Sequence, residues 1–431
     1  MKFLYQLAFC NRIAYYHLAP MTGAIVLTSE GHASEAAVQS APRRLGGLDG
    51  LRALAAIAVI FHHVGVDSGA TFRQPMTHFL ARADIGVSIF FVLSGFLLYR
   101  PFVSRLLSGK AAPNTGEFWL KRFVRLYPAY WVALAFMLMA HGIAVKGFTG
   151  LLFCITLTHN YHPRRAISGI TQTWSLTTEI AFYAVLPFFH RATVRSKKER
   201  SVNQRAVVAL VGLCILYAVS VFFRGIVGVF HPHIEQVSYA WFPARADTFA
   251  LGMALAVGEA WGAYNPVVAR LTLSVSRRVW GWYGGALVLF WFMATQLDLA
   301  TGLNSAGPKR EAIRQLLYGL IAFAVVLPMA WKGGLSSLIG RLLDSRIARY
   351  LGVVSYGIYL WHQWVLHIVR SIFGHQLFGG YFWPLIAATL LGSTAIAALS
   401  HRFIEQPAAR LAPKLLAEVR ARRHARAETA A

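Results

Sequence analysis

The chain has 431 residues, of which 56% are hydrophobic and only 14% are charged. A soluble globular protein carries about 25% charged residues, so this composition excludes that class and predicts a polytopic membrane protein. The formal net charge of +25 would suit nucleic acid, but the basic residues lie mostly in short segments between apolar runs. That placement is typical of cytoplasmic loops, so we expect membrane lipids and no nucleic acid as partners. Cys10, Cys154 and Cys214 have apolar surroundings and no pair spacing, so neither a disulfide nor a metal site is expected.

Residues 1–47 precede the first apolar run and are predicted to form a poorly ordered lead-in. The first 27 residues are apolar but are interrupted by polar side chains and by Pro20. They therefore make a poor membrane span and a poor signal peptide. Met21 is an alternative start of the protein, and the sequence leaves this choice open.

From Leu51 onward the chain contains ten apolar runs long enough to cross a bilayer, given about 20 residues for a span and some tilt. They lie near residues 51–66, 84–99, 127–145, 174–190, 206–223, 240–258, 280–297, 313–331, 350–372 and 382–400. The apolar piece at 148–157 is too short to span and is predicted to be re-entrant. The predicted fold class is all-α, a polytopic membrane bundle of about ten transmembrane helices within a membrane domain at 48–410.

The distribution of Lys and Arg predicts the orientation of this bundle. With the N-terminus inside, the cytoplasmic loops and tail hold 26 Lys and Arg residues and the opposite loops hold 8. This bias predicts that both termini are cytoplasmic. Residues 411–431 form a basic cytoplasmic tail that we expect to lie against anionic lipid.

The first apolar run carries Arg52 at its inner end and His63 deep inside. These residues are eleven positions apart, close to three helical turns, so they lie on nearly one face and about 16 Å apart along the axis. Ionisable groups at such depth are costly and usually mark a site in the bundle interior. The structural alternative is a neutral histidine that is hydrogen-bonded between helices.

Two further ionisable residues are predicted to reach the depth of His63. Glu179 lies about one and a half turns into a helix that enters from the outer side, and His362 lies about 18 Å from the inner end of the ninth run. The three groups are therefore expected to converge in the outer half of the bilayer. A carboxylate beside an imidazole raises its basicity and fixes its tautomer, as a general base requires, so we predict a catalytic group. The alternative is a structural Glu–His pair.

Other charged residues permit more than one interpretation. Arg122 and Arg125, with Lys121, form a cationic cluster that suits phosphate groups or serves only as a cytoplasmic anchor. Arg245 and Asp247 lie near the outer end of the sixth run, where they could pair with each other, pair with other helices or contact substrate.

Small residues in the second run, namely Gly86, Ser94 and Gly95, predict close helix packing more than chemistry. The segment that ends the tenth run, with Arg402 and Pro407, is interpreted as mainly structural.

Several short patterns together resemble one known family, the acyltransferase-3 family of bacterial integral-membrane O-acyltransferases. The patterns occur in the family's order and the resemblance covers about residues 48–410. They are Arg52 and His63 with ten residues between them, Phe90-Phe91-x-x-Ser94-Gly95, Arg122-x-x-Arg125-x-x-Pro128, Trp174-Ser-Leu-x-x-Glu179, and Ser355-Tyr-x-x-Tyr359-Leu-x-His362. Any one of these patterns is weak, and the ordered set is specific.

The resemblance implies transfer of an acyl group, usually acetyl, from acyl-CoA to a hydroxyl at the bacterial inner membrane. Acetyl-CoA would be a co-substrate, and no tightly bound cofactor is expected. The functional residues of the family map onto Arg52 and His63, with Glu179, Arg122 and Arg125 next. The expected acceptor is a glycan or glycolipid of the cell envelope, and the alternative acceptor is a small hydrophobic natural product such as a macrolide.

The sequence departs from the family in two places. Some members carry an aspartate three residues after the motif histidine, where this chain has Val66, followed by Asp67. A simple His–Asp dyad is therefore in doubt, and Asp67 and Tyr359 are kept as candidate substrate or structural contacts. Longer relatives add a periplasmic SGNH-type domain that is absent from this sequence, so transfer is expected to be completed within the membrane domain.

The mechanism and the class of protein each have an open alternative. His63 could deprotonate the acceptor hydroxyl, or it could be acylated itself and relay the group outward. Buried His, Glu and Arg could also build a proton-coupled transporter. Transporters usually show internal repeats, and no second copy of the Arg52–His63 stretch is present in the sequence, which counts against that class.

Overall fold

The computed structural model describes residues 46–73, 76–140, 142–162, 166, 168–194, 200–231, 234–299, 307–374 and 376–428. The predicted lead-in at 1–47 and the alternative start at Met21 lie outside the described residues, except for positions 46 and 47. All the described residues belong to one compact unit.

Among the described residues the structure is helical and contains no strand. The α-helices are α1 (Leu48–Asp67), α2 (Thr77–Arg82), α3 (Ile85–Leu107), α4 (Thr115–Met139), α5 (Gly147–Ile155), α6 (Trp174–Val194), α7 (Val202–Phe230), α8 (Glu235–Ser238), α9 (Phe242–Gly262), α10 (Pro266–Arg277), α11 (Val279–Gln296), α12 (Pro308–Ala330), α13 (Leu338–Leu343), α14 (Arg346–Val353), α15 (Ser355–Ile372), α16 (Phe382–Ser400) and α17 (Gln406–Glu428). Short 3₁₀ turns occur at Ala70–Phe72, His159–Tyr161 and Thr171–Thr173, and a π-helical segment at His401–Glu405 joins α16 to α17. The predicted all-α, polytopic membrane bundle is confirmed.

Each of the ten predicted runs coincides with a helix, and the run at 350–372 is divided between α14 and α15 at Val354. Five helical stretches within the described residues are long and apolar enough to cross a membrane by length and composition. These are Leu48–Asp67, Thr77–Leu107, Val202–Phe230, Pro308–Ala330 and Phe382–Glu418. The count of ten spans and the cytoplasmic position of both termini stay predictions. Helix α17 crosses the predicted domain boundary at 410/411 and packs against α4.

Helix α3 is the centre of the bundle and packs against α1, α9 and α12. Two glycines set its closest approach to α9. A β-carbon built on Gly95 would lie 2.2 Å from the carbonyl oxygen of Phe249, and one built on Gly252 would lie 2.0 Å from that of Val92. Only glycine fits at either position, so the two backbones touch. The packing predicted for Gly95 is confirmed, and Gly86 makes the equivalent approach to Ala55 of α1.

The inner end of α1 is held by similar contacts. A β-carbon on Gly50 would lie 2.2 Å from the carbonyl oxygen of Leu343, and one on Gly352 would lie 2.0 Å from that of Asp49. The first turn of α1 is therefore clamped between the end of α13 and the end of α14. This contact fixes the height of α1 relative to α15, which follows α14 after the single residue Val354.

Helix α6 begins inside the bundle, which corrects the predicted depth of its residues. The side-chain amide of Gln172 donates to the carbonyl oxygen of Leu360 at 2.8 Å, so the start of α6 lies beside α15, between Tyr359 and His362. Gln172 and Thr173 are buried. Glu179 consequently lies at the level of Arg52 on α1, with which it lines a cavity described below, and not at the predicted level of His63.

The glycine contact between α3 and α9 gives a stability prediction. We expect Gly252→Ala to lower the free energy of unfolding by about 1–3 kcal/mol, because the new methyl group overlaps a backbone carbonyl that cannot move aside. Unfolding in mixed detergent micelles, followed by circular dichroism, measures this change. Gly284→Ala is the control, since a β-carbon at that position of α11 meets nothing within 4 Å. Equal stability of the two variants would contradict the close approach.

Candidate active site

A cavity of about 210 Å³ lies where α1, α3, α4, α6 and α15 meet, and we call it the arginine cavity. Ten described residues line it: Arg52, Ser94, Leu97, Leu98, Arg122, Arg125, Leu126, Glu179, Tyr183 and Tyr356. The three arginines expected to bind the acyl donor are thus brought together from two helices that are far apart in the sequence. Lys121, the neighbour of Arg122, is exposed and is not part of this lining.

Glu179 is the one carboxylate among the described residues that line the arginine cavity. Its Oε1 atom accepts hydrogen bonds from the Ser94 hydroxyl and from the Tyr183 hydroxyl, both at 2.7 Å. Tyr183 follows Glu179 by four residues and so lies on the same face of α6. Three guanidinium groups against one carboxylate leave an excess of positive charge. Uncompensated charge is costly inside a membrane protein, so the cavity favours an anionic ligand.

Arg52 is oriented by α15. Its Nε atom donates to the Ser355 hydroxyl at 3.4 Å, and that hydroxyl donates to the carbonyl oxygen of Gly352 at 2.8 Å. The clamp at Gly50 and Gly352 described above sets the height at which this contact forms. The remaining donors of the guanidinium group are directed to the cavity side, where Arg52 is part of the lining.

The second group is a pair of histidines, His63 on α1 and His362 on α15. The Nε2 atom of His362 lies 3.1 Å from the Nδ1 atom of His63, and the ring centroids are 4.9 Å apart. His362 is fully buried, and its Nδ1 atom lies 2.8 Å from the carbonyl oxygen of Tyr359. The Nδ1 atom of His63 also lies 3.0 Å from the carbonyl oxygen of Val59.

These contacts assign the ring protons when both imidazoles are neutral. A carbonyl oxygen only accepts, so the Nδ1 atom of His362 carries a proton and its Nε2 atom accepts. The Nδ1 atom of His63 must then be the donor, shared between Val59 and His362. The Nε2 atom of His63 is left with its lone pair, and no described residue hydrogen-bonds to it. This is the arrangement that a general base requires.

The structure separates Glu179 from the histidine pair, which corrects the predicted convergence of three groups. His362 contacts His63, whereas Glu179 joins the arginines. The difference arises because α6 starts inside the bundle. The prediction counted helical turns from the outer surface and therefore placed Glu179 too far out. Helices α1 and α15 connect the two groups: Arg52 and Ser355 lie at the cavity, and His63 and His362 lie farther along the same helices.

The other candidate residues have structural partners. Asp67 forms an ion pair with Arg370 at 2.8 Å, near the outer end of α1. Tyr359 donates to the carbonyl oxygen of Gln172 at 2.8 Å and lies 2.7 Å from the Ser175 hydroxyl.

Arg245 and Asp247 do not pair with each other; each bonds to other parts of the chain. Asp247 forms a fully buried ion pair with Arg224 of α7 at 2.7 Å. Arg245 donates to the carbonyl oxygen of Tyr239 at 2.6 Å and to the Gln315 side chain, and its guanidinium group lies over the Trp174 ring.

The polar residues that hydrogen-bond to Glu179 or line the arginine cavity were not identified from the sequence. Ser94 was interpreted as a packing residue, but its hydroxyl binds Glu179. Tyr356 occurred only within one of the family patterns, and it lines the arginine cavity together with Tyr183. The spacing of four residues between Glu179 and Tyr183 was the available signal for one of them. No local signal pairs Ser94 with α6.

Comparison with known proteins agrees with this geometry. The model of the acyltransferase-3 family, described as an acyltransferase domain, matches residues 45–400. The chain therefore belongs to this family, as its patterns predicted. It is an acyltransferase-family protein of the multi-pass membrane type.

Individual relatives are more distant. The chain is 26% identical over 383 residues to the O-acetyltransferase OatA of Staphylococcus aureus, covering 85% of this chain and 57% of that protein. It is 28% identical over 382 residues to the peptidoglycan O-acetyltransferase OatA of Listeria monocytogenes, covering 84% of this chain and 55% of that protein. The chain thus spans little more than half the length of these relatives. No solved structure matches it.

The buried ion pair between Arg224 and Asp247 gives a prediction about Asp247, for which the sequence left substrate contact open. Removing one partner of such a pair leaves an uncompensated charge, so we expect Asp247→Ala to cost about 3–5 kcal/mol of stability. The double variant Arg224→Met, Asp247→Leu should recover most of that loss, because it removes both charges. Unfolding of the purified protein in detergent measures both effects. Full stability of Asp247→Ala with loss of acyl transfer would instead identify a substrate contact.

Proposed function

We propose that the protein is an acyl-CoA-dependent O-acetyltransferase of the bacterial cytoplasmic membrane, with a cell-wall glycan as acceptor. The observation that carries this proposal is that the arginine cavity and the histidine pair are built on the same two helices, α1 and α15. One group suits a polyanionic donor and the other supplies a base. Membership of the acyltransferase-3 family supports acyl transfer as the reaction class.

The donor is assigned from charge. Acyl-CoA is heavily anionic through its phosphates, and guanidinium groups bind phosphate oxygens with two parallel hydrogen bonds. Arg52, Arg122 and Arg125 supply three such groups around one cavity. The Nε atom of Arg122 is buried and has no hydrogen-bond partner among the described residues, so a ligand would satisfy it. The predicted orientation places this cavity toward the cytoplasmic side, where acyl-CoA is available.

The reaction step is assigned to the histidine pair. The Nε2 atom of His63 takes the proton of the acceptor hydroxyl as that oxygen attacks the thioester carbonyl carbon. The carbon–sulfur bond then breaks, and the proton on His63 passes to the departing coenzyme A thiolate. The Nε2 atom of His362 accepts a hydrogen bond from the Nδ1–H group of His63, so the lone pair of His63 remains on its Nε2 atom. The acyl-histidine relay places the same Nε2 atom on the thioester carbon, so both routes need it.

The distance between the two groups suits the shape of the donor. His63 lies about 16 Å from Arg52 along α1, at about 1.5 Å per residue. Coenzyme A carries its phosphates at one end and its thiol at the other end of an extended pantetheine arm. A donor held by its phosphates in the arginine cavity can therefore present its thioester near the histidine pair. Glu179, fixed by Ser94 and Tyr183, would orient the arginines.

The acceptor is proposed from the relatives. Both OatA proteins named above are O-acetyltransferases, and the name of the Listeria protein specifies peptidoglycan. Because the chain covers little more than half of each, the acceptor is the part of the proposal that depends most on experiment. Acetyl is proposed as the acyl group on the same basis. A glycolipid and a small hydrophobic natural product are the other acceptors to be tested.

The donor site gives the first functional prediction. We expect Arg122→Gln to weaken coenzyme A binding about tenfold or more, because charge-assisted hydrogen bonds contribute about 1.5–3 kcal/mol each. Equilibrium binding of radiolabelled coenzyme A to the purified full-length protein in lipid nanodiscs measures this change. Lys121→Gln removes the same charge from the same helix outside the cavity, and its affinity should match the wild type. Equal affinities for all three proteins would reject the arginine cavity as the donor site.

The base gives the second functional prediction. Mass spectrometry of peptidoglycan fragments, glycolipids and polysaccharides from a deletion strain should show loss of one acetyl unit from one of these species. The wild-type gene should restore the acetyl unit, whereas His63→Ala should fail to restore it while expressing normally. His78→Ala on α2, a histidine outside the site, is the control and should restore it fully. Undiminished acetylation by His63→Ala would reject the assignment. An unchanged envelope together with a defect in efflux or uptake would favour a transporter.

A further inference from the structure

A second and larger cavity lies near the arginine cavity, at the junction of α3, α6 and α7. It has a volume of about 430 Å³, and we call it the Lys110 cavity. Its described lining is Leu106, Gly109, Lys110, Ala111, Ala112, His190, Thr193, Arg200, Arg205 and Val208. These residues include three cations, one histidine and no carboxylate. A cavity of this size is large enough for a nucleotide-sized ligand.

The polar groups of the Lys110 cavity are arranged for an anion. Arg205 is held in place because it donates to the carbonyl oxygens of Leu106 and Leu107 at the end of α3, at 3.4 and 3.2 Å. Both of these bonds use its Nη1 atom, and the guanidinium group has other donors. His190 is buried, with 1% of its surface exposed, and its Nδ1 atom has no hydrogen-bond partner among the described residues. A buried polar atom of this kind is usually satisfied by a ligand or a water.

The two cavities lie along α6 on either side of a row of buried rings. Tyr183 lines the arginine cavity and His190 lines the Lys110 cavity, about 10 Å farther along the same helix. Between them, the ring of Phe118 lies 6.4 Å from that of Tyr183 and 5.3 Å from that of Phe102. Phe102 in turn lies 5.2 Å from the His190 ring. The linings of the two cavities are thus about two helical turns apart along α6, a separation that charged groups of one extended anionic ligand can span.

We propose that the Lys110 cavity binds the ribose 3′-phosphate end of coenzyme A, while the arginine cavity binds the diphosphate. This assignment rests on the proposed function and extends it to residues that no pattern in the sequence singled out. The diphosphate and the 3′-phosphate are attached to the same ribose. A donor whose diphosphate lies in the arginine cavity therefore has its 3′-phosphate nearby. Lys110, Arg205 and the unpartnered His190 nitrogen are the groups available to the 3′-phosphate. An anionic lipid headgroup presents the same chemistry and is the competing source.

The test compares coenzyme A with 3′-dephospho-coenzyme A, which lacks only the phosphate in question. Lys110→Glu is the variant of choice because Lys110 is exposed in the loop after α3, whereas Arg205 also caps that helix. Lys414→Glu on α17 makes the same charge change at an exposed site outside both cavities. Binding of each ligand is measured with full-length protein in nanodiscs of phosphatidylcholine and in nanodiscs that also contain phosphatidylglycerol.

We expect Lys110→Glu to weaken coenzyme A binding about tenfold and to leave 3′-dephospho-coenzyme A binding unchanged, while Lys414→Glu changes neither. The effect should be the same in both kinds of nanodisc. An unchanged affinity of Lys110→Glu for coenzyme A would overturn the assignment and leave the donor proposal intact. A difference that appears only with phosphatidylglycerol would assign the cavity to a lipid headgroup and likewise overturn it. Failure of the wild type to bind coenzyme A would overturn both proposals.

Discussion

The relative height of α1 and α15 is the constraint on which the rest of the site depends. The backbones of Gly50 and Gly352 touch their neighbours directly, so α1 cannot slide along its axis without a clash. A shift of one helical turn, about 5.4 Å, would separate Arg52 from Ser355 and His63 from His362 at the same time. One clamp at the N-terminal end of α1 therefore maintains both the position of Arg52 in the arginine cavity and the pairing of His63 with His362.

The sequence predicted the parts of the site that depend on position within one helix. Arg52 and His63 follow from helical periodicity, and the positions of the helices follow from hydropathy. The depth of Glu179 could not be predicted, because periodicity does not tell where a helix begins relative to the bilayer. The pairing of Ser94 with Glu179 and the clamp at Gly352 also could not be predicted, since both are contacts between residues that are distant in sequence.

The cations of this bundle occupy two kinds of place. Arg224 is neutralised by Asp247, and Arg100 and Lys332 share Glu259, so these cations join helices and are satisfied by the protein. The arginine cavity and the Lys110 cavity differ, because cations outnumber carboxylates among the described residues that line each of them. An excess of cations over carboxylates in the lining of a cavity is a better guide to a ligand than the total charge of the chain.

The internal start of α6 has a consequence for the order in which the protein is assembled. A long helix satisfies its own backbone within the membrane, but the short 3₁₀ turn at Thr171–Thr173 before α6 also bonds to another element, α15. Gln172 bonds to Leu360 and Tyr359, which are made almost 190 residues later in synthesis. Until α15 arrives, the polar groups of Gln172 lack these partners. The last step in building the site is therefore the docking of α15, the same event that brings His362 to His63.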